Sequence, residues 1–216
     1  MHVAVIAIMA ALMGVYQGVN PGMGWLYATA RGLERRSVAS LVDGSVRIAW
    51  GHYLGMNVVL LPVGWLLALT RVHPILLMPW IGCTFIAYGL FKLVRPNHPR
   101  ILNRISPQHV TRWSFVMTLT HCGSPLMMIL PLLSLAMIIH GPAQSMAGLS
   151  LRLTYYSLLA LGASAAMALP QLLFSMAMAL TVYLRLGLKA LTRYWYNFDI
   201  GWSFIFILMG AMTVRM

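Results

Sequence analysis

Six stretches of this chain are almost free of charged residues: Val3 to about Ala30, Val46 to Thr70, Ile75 to Val94, Trp113 to Ile139, Leu153 to Leu184 and Ile200 to Val214. A run of roughly 20 apolar residues wound as a helix matches the ~30 Å hydrocarbon thickness of a bilayer. The last run is short; Trp195 and Tyr196, amphipathic aromatics of the headgroup level, put its expected start near Tyr194. Of all residues 60% are hydrophobic and only 8% charged, about a third of the charge a soluble domain carries. A soluble fold is excluded, and the expectation is an all-α integral membrane protein of six transmembrane helices, residues 1–216 forming a single membrane domain.

The basic residues orient it. Arg31, Arg35 and Arg36 follow the first run, Lys92, Arg95, Arg100, Arg104 and Arg112 follow the third, and Arg185, Lys189 and Arg193 follow the fifth; the other connections hold Arg71 and Arg152, with Arg215 at the end. The positive-inside rule then places the three basic loops in the cytoplasm and both termini outside it, in a bacterial-type inner membrane. The same rule explains the net charge of +12 without a polyanionic ligand, so nucleic acid is not expected as a partner. Beyond the lipid bilayer, the partners expected are a second copy of the chain or a larger membrane complex. The N-terminus lacks the basic n-region and cleavage site of a secretory signal and reads as a retained first span.

Six spans with both ends on one side make any similarity between halves an inverted repeat. Ile81-Gly82-Cys83-Thr84-Phe85-Ile86 aligns with Ile200-Gly201-Trp202-Ser203-Phe204-Ile205, Pro62 with Pro170, and Pro21 with Pro125. The order of these matches agrees with the topology, and a 3+3 arrangement is expected: pseudo-repeat one over about 1–95, a basic cytoplasmic connection over 95–112, and pseudo-repeat two over about 113–216.

Gly18-Val19-Asn20-Pro21-Gly22-Met23-Gly24 interrupts the first run, and His121-Cys122-Gly123-Ser124-Pro125 the fourth. Proline removes a backbone donor and glycine lowers the cost of leaving the helix, so helices one and four should break there. Unwound backbone at membrane depth needs protein or a wet cavity around it, and paired breaks in inverted halves point to a substrate site at the midplane. Packing kinks are the alternative, with Gly14, Gly18 and Gly22 forming a small-residue seam. The candidate substrate contacts are Asn20, Pro21, Gly22, Met23, Ser124 and Pro125, joined from the second span by His52, among Gly51 and Gly55, and by Asn57. An intramembrane histidine suggests a site by default, although a neutral imidazole satisfied by a neighbouring carbonyl would look the same.

His52, His121 and Cys122 are also the candidate metal ligands. With thioethers from Met23, Met56, Met127 or Met128 they suit a transported soft or borderline cation such as copper(I), zinc or nickel, while the 17 methionines are equally explained as flexible fillers of apolar runs. Cys83 reads as a small buried apolar side chain. Asp43 and Arg47, four apart, read as an interfacial pair. No paired carboxylate, P-loop, HExxH or nucleophile elbow is present, and Ser124 has no acidic orienter; an enzyme is not expected.

The run Gly18-Val19-Asn20-Pro21-Gly22-Met23, then Tyr27-Ala28-Thr29-Ala30-Arg31-Gly32-Leu33 and Gly51-His52, resembles the opening of the LysE/RhtB exporters, whose first span carries a Pro-Gly-Pro-like break before a basic turn. His121-Cys122-Gly123 and Gly51-His52 are similar to the nickel/cobalt-exporter members of that superfamily. The resemblance lies mainly in the first half and implies export. The chain departs from the pattern where Met23 replaces the second proline and where Asn57, not an acid and a histidine, follows His52. Thiol-electron carriers like the DsbD membrane domain place a cysteine in each repeat's first helix; here only Cys122 fits.

The functions expected are thus a membrane transporter or exporter of a small solute or metal cation through a midplane site, or alternatively a non-catalytic subunit of a larger membrane complex or a metal or redox assembly accessory.

Overall fold

The computed structural model describes residues 3–70, 72–94, 109–145, 148–186 and 198–215, with the side chains of His121, Cys122, Ser124 and Asp199 among those left out. Arg71, most of the 95–112 connection and the start near Tyr194 expected for the last span lie outside the described residues. The described chain is helical: α1 (Val3–Val19), a 3₁₀ turn (Pro21–Met23), α2 (Trp25–Glu34), α3 (Val38–Thr70), a second 3₁₀ turn (Pro74–Leu77), α4 (Met78–Val94), α5 (Val110–Met117), a π-helical segment (Thr118–Cys122), α6 (Ser124–Ser145), α7 (Leu149–Thr181) with a π-helical end (Val182–Leu186), and α8 (Phe198–Val214).

Three helical stretches, Val38–Thr70, Pro74–Val94 and Leu149–Arg185, are long and apolar enough to cross a membrane. A fourth span results if the bent pair Val110–Thr120 and Pro125–Ile138, at 70° to one another, is taken as one. The outer ends of the six apolar runs, Ile6–Val19 and Ile200–Val214, are shorter apolar helices. The run Val3 to Ala30 is divided between α1 and α2, so neither piece has full length.

Two helices begin earlier than hydropathy alone marks. Ser37 Oγ accepts from Ser40 N at 3.3 Å, and a capping serine supplies an acceptor that the first turn lacks; α3 therefore starts at Val38 and includes Asp43 and Arg47. These two do pair, at 2.8 Å, and Asp43 also bridges to Arg31 of α2 at 2.9 Å. Similarly α7 takes Arg152 into its first turns. Pro62 and Pro170 lie inside α3 and α7, which continue through them.

Glycines set the packing. A Cβ at Gly14 or Gly18 of α1 would stand 2.2 Å from Met167 O or 2.7 Å from Phe174 Cβ of α7; one at Gly51 or Gly55 of α3 would stand 2.3 Å from Thr111 O or 2.8 Å from Thr118 Cβ. So α1 runs parallel to α7, and α3 parallel to α5, each at a spacing that only missing side chains permit. Asn57 with Ser164 and Trp65 with Ser157 pair α3 antiparallel to α7. Gly82, Gly89 and Gly210 similarly join α4 and α8. Gly22 departs from the expected seam: its nearest neighbour is Asn20, inside the turn, and no helix. Cys83, one position past Gly82, is exposed, contrary to the expectation of burial, because Gly82 and Gly89 give the opposite side of α4 to α8.

Gly51→Val should lower the midpoint of detergent-induced unfolding, followed by tryptophan fluorescence, by about 1–3 kcal/mol of stability, the cost of overpacking. Gly162→Ala, where nothing lies within 4 Å, should not lower it.

Candidate functional site

Both expected breaks are present. At Asn20 the backbone leaves the helix (φ −66°, ψ 118°), and its Oδ1 accepts from Gly22 N at 2.9 Å, while Gly24 takes a left-handed φ of 104° that suits glycine. The end of α1 leaves carbonyls open, and one is satisfied at once: Trp25 Nε1 donates to Val19 O at 3.1 Å. The second break is built differently. α5 widens into the π segment, Gly123 turns left-handed at φ 60°, and α6 starts beneath it, with Met127 N donating to Gly123 O. A Cβ on Gly123 would lie 2.5 Å from Phe206 and 2.8 Å from Tyr88, so α8 and α4 close over this turn.

The first break lies against the helix that leads to the second. Buried Met23 packs with Met117 and Trp113, and Met117 is followed by Thr118, the first residue of the π segment, five positions before the turn at Gly123. His52, 1% exposed, joins the same point, its Nδ1 lying 2.8 Å from Thr118 Oγ1. The hydroxyl's one hydrogen is given to Ser114 O at 2.8 Å. Thr118 is therefore the acceptor of the imidazole contact, and the network assigns the proton to Nδ1. Nε2 is left as an unprotonated lone pair, buried and without a hydrogen-bond partner. A second link, Ser114 Oγ donating to Ile48 O at 2.6 Å, fixes α5 on α3 one turn away.

The other expected residues divide. Asn20, Met23 and Pro125 are buried; Pro21 and Gly22 form the turn itself. Asn57 faces elsewhere: its Nδ2 donates to Tyr53 O and its Oδ1 accepts from Ser164 of α7, so it ties α3 to α7 instead of facing the breaks. The positions of His121, Cys122 and Ser124 on the second break are described for the backbone only. Among the described residues no group of three His, Cys, Asp or Glu side chains could hold a metal. The methionines fall in separate clusters: Met23 sits with Met117, Met56 and Met128 lie in the core between α3, α6 and α7, and Met127 belongs to the aromatic cluster of Phe85, Trp202 and Phe206.

Gln171 and Trp202 were not singled out by sequence reasoning. Gln171 is 1% exposed with Oε1 unpartnered, and Trp202 is 5% exposed with Nε1 unpartnered. A glutamine directly after an intrahelical proline, midway through an apolar run, was the available signal for the first.

No family model, curated protein or solved structure matches this chain.

Thr118→Val should cost about 1–3 kcal/mol by leaving the imidazole N–H without an acceptor, and Thr118→Ser should restore most of it. The ¹⁵N signals of His52 should show a protonated Nδ1 and a bare Nε2; the reverse tautomer would overturn the assigned network.

Proposed function

We propose that this protein is a multi-pass membrane transporter whose solute passes between the two interrupted helices, with His52 facing the path. The observation that carries this reading is the pair of interrupted helices joined through Met23, Met117, Thr118 and His52. Polar, irregular backbone inside an apolar bundle is a poor way to make a passive scaffold, and discontinuous helices are the common device for binding solutes in membranes.

The packing supports a 3+3 inverted repeat. Exchanging α1 with α5, α3 with α7 and α4 with α8 turns the α1–α7 contact into the α5–α3 contact and leaves the α3–α7 and α4–α8 contacts in place, all of which are observed. The parallel and antiparallel senses fit six spans of alternating direction, the first made of α1 and α2 and the fourth of α5 and α6. Alternating access would rock one half against the other around the breaks. With the basic loops inside, both termini lie outside the cytoplasm; export is the direction that the LysE/RhtB resemblance implies.

A path through the breaks has to meet water from both sides. In a background lacking Cys83 and Cys122, cysteines at Asn20 and Ser124 should react with membrane-impermeant thiol reagents applied to either face of oriented vesicles, and Leu169→Cys on the exposed side of α7 should not. Complete protection of Asn20→Cys and Ser124→Cys from both faces would leave the membrane-subunit reading in place of transport.

A further inference from the structure

The sequence holds three acidic side chains, Glu34, Asp43 and Asp199, and none of them stands near the start of α7. Glu34 ends α2, and Asp43 lies in the second turn of α3, held by Arg31 and Arg47. Asp199 stands in the first turn of α8. Gly82 of α4 meets Gly210 and Val214 of α8, and Gly89 meets Ser203 and Ile207, so the start of α8 is level with the end of α4, a helix length of about 25 Å from the turn that joins α3 to α4. Arg152 lies beside that turn. Trp65 pairs with Ser157, and a Cβ on Gly64 would stand 3.1 Å from Tyr156 O; continued along the antiparallel pair, this register sets Arg152 level with the last turn of α3.

Arg152 is 7% exposed, its Nε is buried without a hydrogen-bond partner, and among the described residues no ion pair reaches it. Unlike an amine, a guanidinium cannot shed its charge when buried, and a buried cation without an anion bears the loss of its hydration uncompensated. Its own helix adds to the deficit. α7 starts at Leu149 with no side-chain cap on Gly148 and no acid in its first turn, so free backbone N–H groups and the positive end of the helix dipole stand on the same side as the cation. The Cα–Cβ bond of a helical residue leans toward the N-terminus, which directs Arg152 to that end. The other charged or titratable residues around the ends of α3, α6 and α8, namely Arg71, His73, His140 and Arg215, bring no negative charge. The carboxylate after Met216 follows α8, which packs along α4. Exposed Trp65 and Trp80 at this end are amphipathic rings of the headgroup level, where phosphate is the common anion.

Independently of the transport reading, we propose that Arg152 and the first turn of α7 form a binding site for one phosphate group. The guanidinium supplies the charge and a planar fork of N–H donors that matches two phosphate oxygens. The uncapped N–H groups supply further donors, as helix N-termini do for phosphate. The group is carried by an anionic lipid lying against this end of the bundle or is free in solution; either offsets the same buried charge.

The test uses the full, untagged chain stripped of lipid in dodecyl maltoside, with thermal unfolding followed by tryptophan fluorescence. Phosphatidylglycerol added to the micelles, or sodium phosphate at matched ionic strength, should raise the midpoint by about 5 °C at a hundredfold excess over the dissociation constant. A gain with phosphatidylglycerol alone assigns the site to a lipid headgroup, and a gain with phosphate assigns it to the free anion. Arg152→Met should lose the gain and, because it removes a buried charge that has no partner, should unfold no earlier than the wild type before any probe is added. Arg152→Lys, which keeps the charge and loses the fork, should retain part of the gain, and Arg112→Gln, an exposed cation on α5, should retain all of it. The wild-type titration needs no variant, so misfolding of a mutant does not decide it. No gain from either probe, or an equal gain in the wild type and Arg152→Met, overturns the proposal. So does earlier unfolding of probe-free Arg152→Met, which would mean that the chain itself satisfies the guanidinium.

Discussion

Hydrocarbon offers no hydrogen bonds, and the organisation of this protein follows from how its chain meets that constraint where it stops being helical. The two interrupted helices meet it in different ways. At the first break the Asn20 carboxamide caps Gly22 and the Trp25 indole takes the Val19 carbonyl. At the second, the π segment keeps the backbone wound up to Gly123, whose left-handed turn sends the chain off at 70°. The first solution consumes side chains that would otherwise be free to bind a solute. Asn20 is therefore as much a structural cap as a candidate contact.

The glycine contacts are what bring the interrupted helices against the rest of the bundle. Helices packed through leucines stand some 8–10 Å apart; Gly51 and Gly55 let α5 settle onto α3 until Thr118 reaches His52, and Gly14 and Gly18 do the same for α1 on α7. The long proline-bearing pair α3 and α7 forms the spine to which the two broken helices are fastened, while α4 and α8 close over Gly123 from the side. Asn57 belongs to this spine. It lies five positions beyond His52, which on a helix is well over a quarter turn away, so it serves the α3–α7 contact and not the α5-facing side.

Much of this was legible in the sequence. The apolar runs, the two Gly/Pro interruptions, the pairing of Asp43 with Arg47 and the close approach at Gly51 and Gly55 all follow from local rules about hydropathy, backbone freedom and helical spacing. What escaped was whatever depends on which helix lies opposite. Nothing in the run Gly51 to Asn57 says that His52 looks at α5 and Asn57 at α7. Cys83 was misread for the same reason, since burial on α4 is decided by the seam with α8. The early start of α3 was missed because its first two turns are amphipathic, and the serine cap that starts them is invisible to a hydropathy window.

The imidazole shows how a tertiary contact changes the chemistry open to a residue. A histidine in an apolar run is ambiguous, acting as donor through either nitrogen. Once Thr118 has committed its hydrogen to Ser114, only Nδ1 of His52 can serve as donor, and the remaining nitrogen is fixed as a lone pair pointing into protein. The threonine sits at the first position of the π segment, so any movement of the second break that shifts Thr118 would also release the constraint on the ring. In the proposed site, a ligand held at Nε2 would therefore be coupled to the geometry of the π segment through one hydroxyl group, each biasing the other by the same free energy.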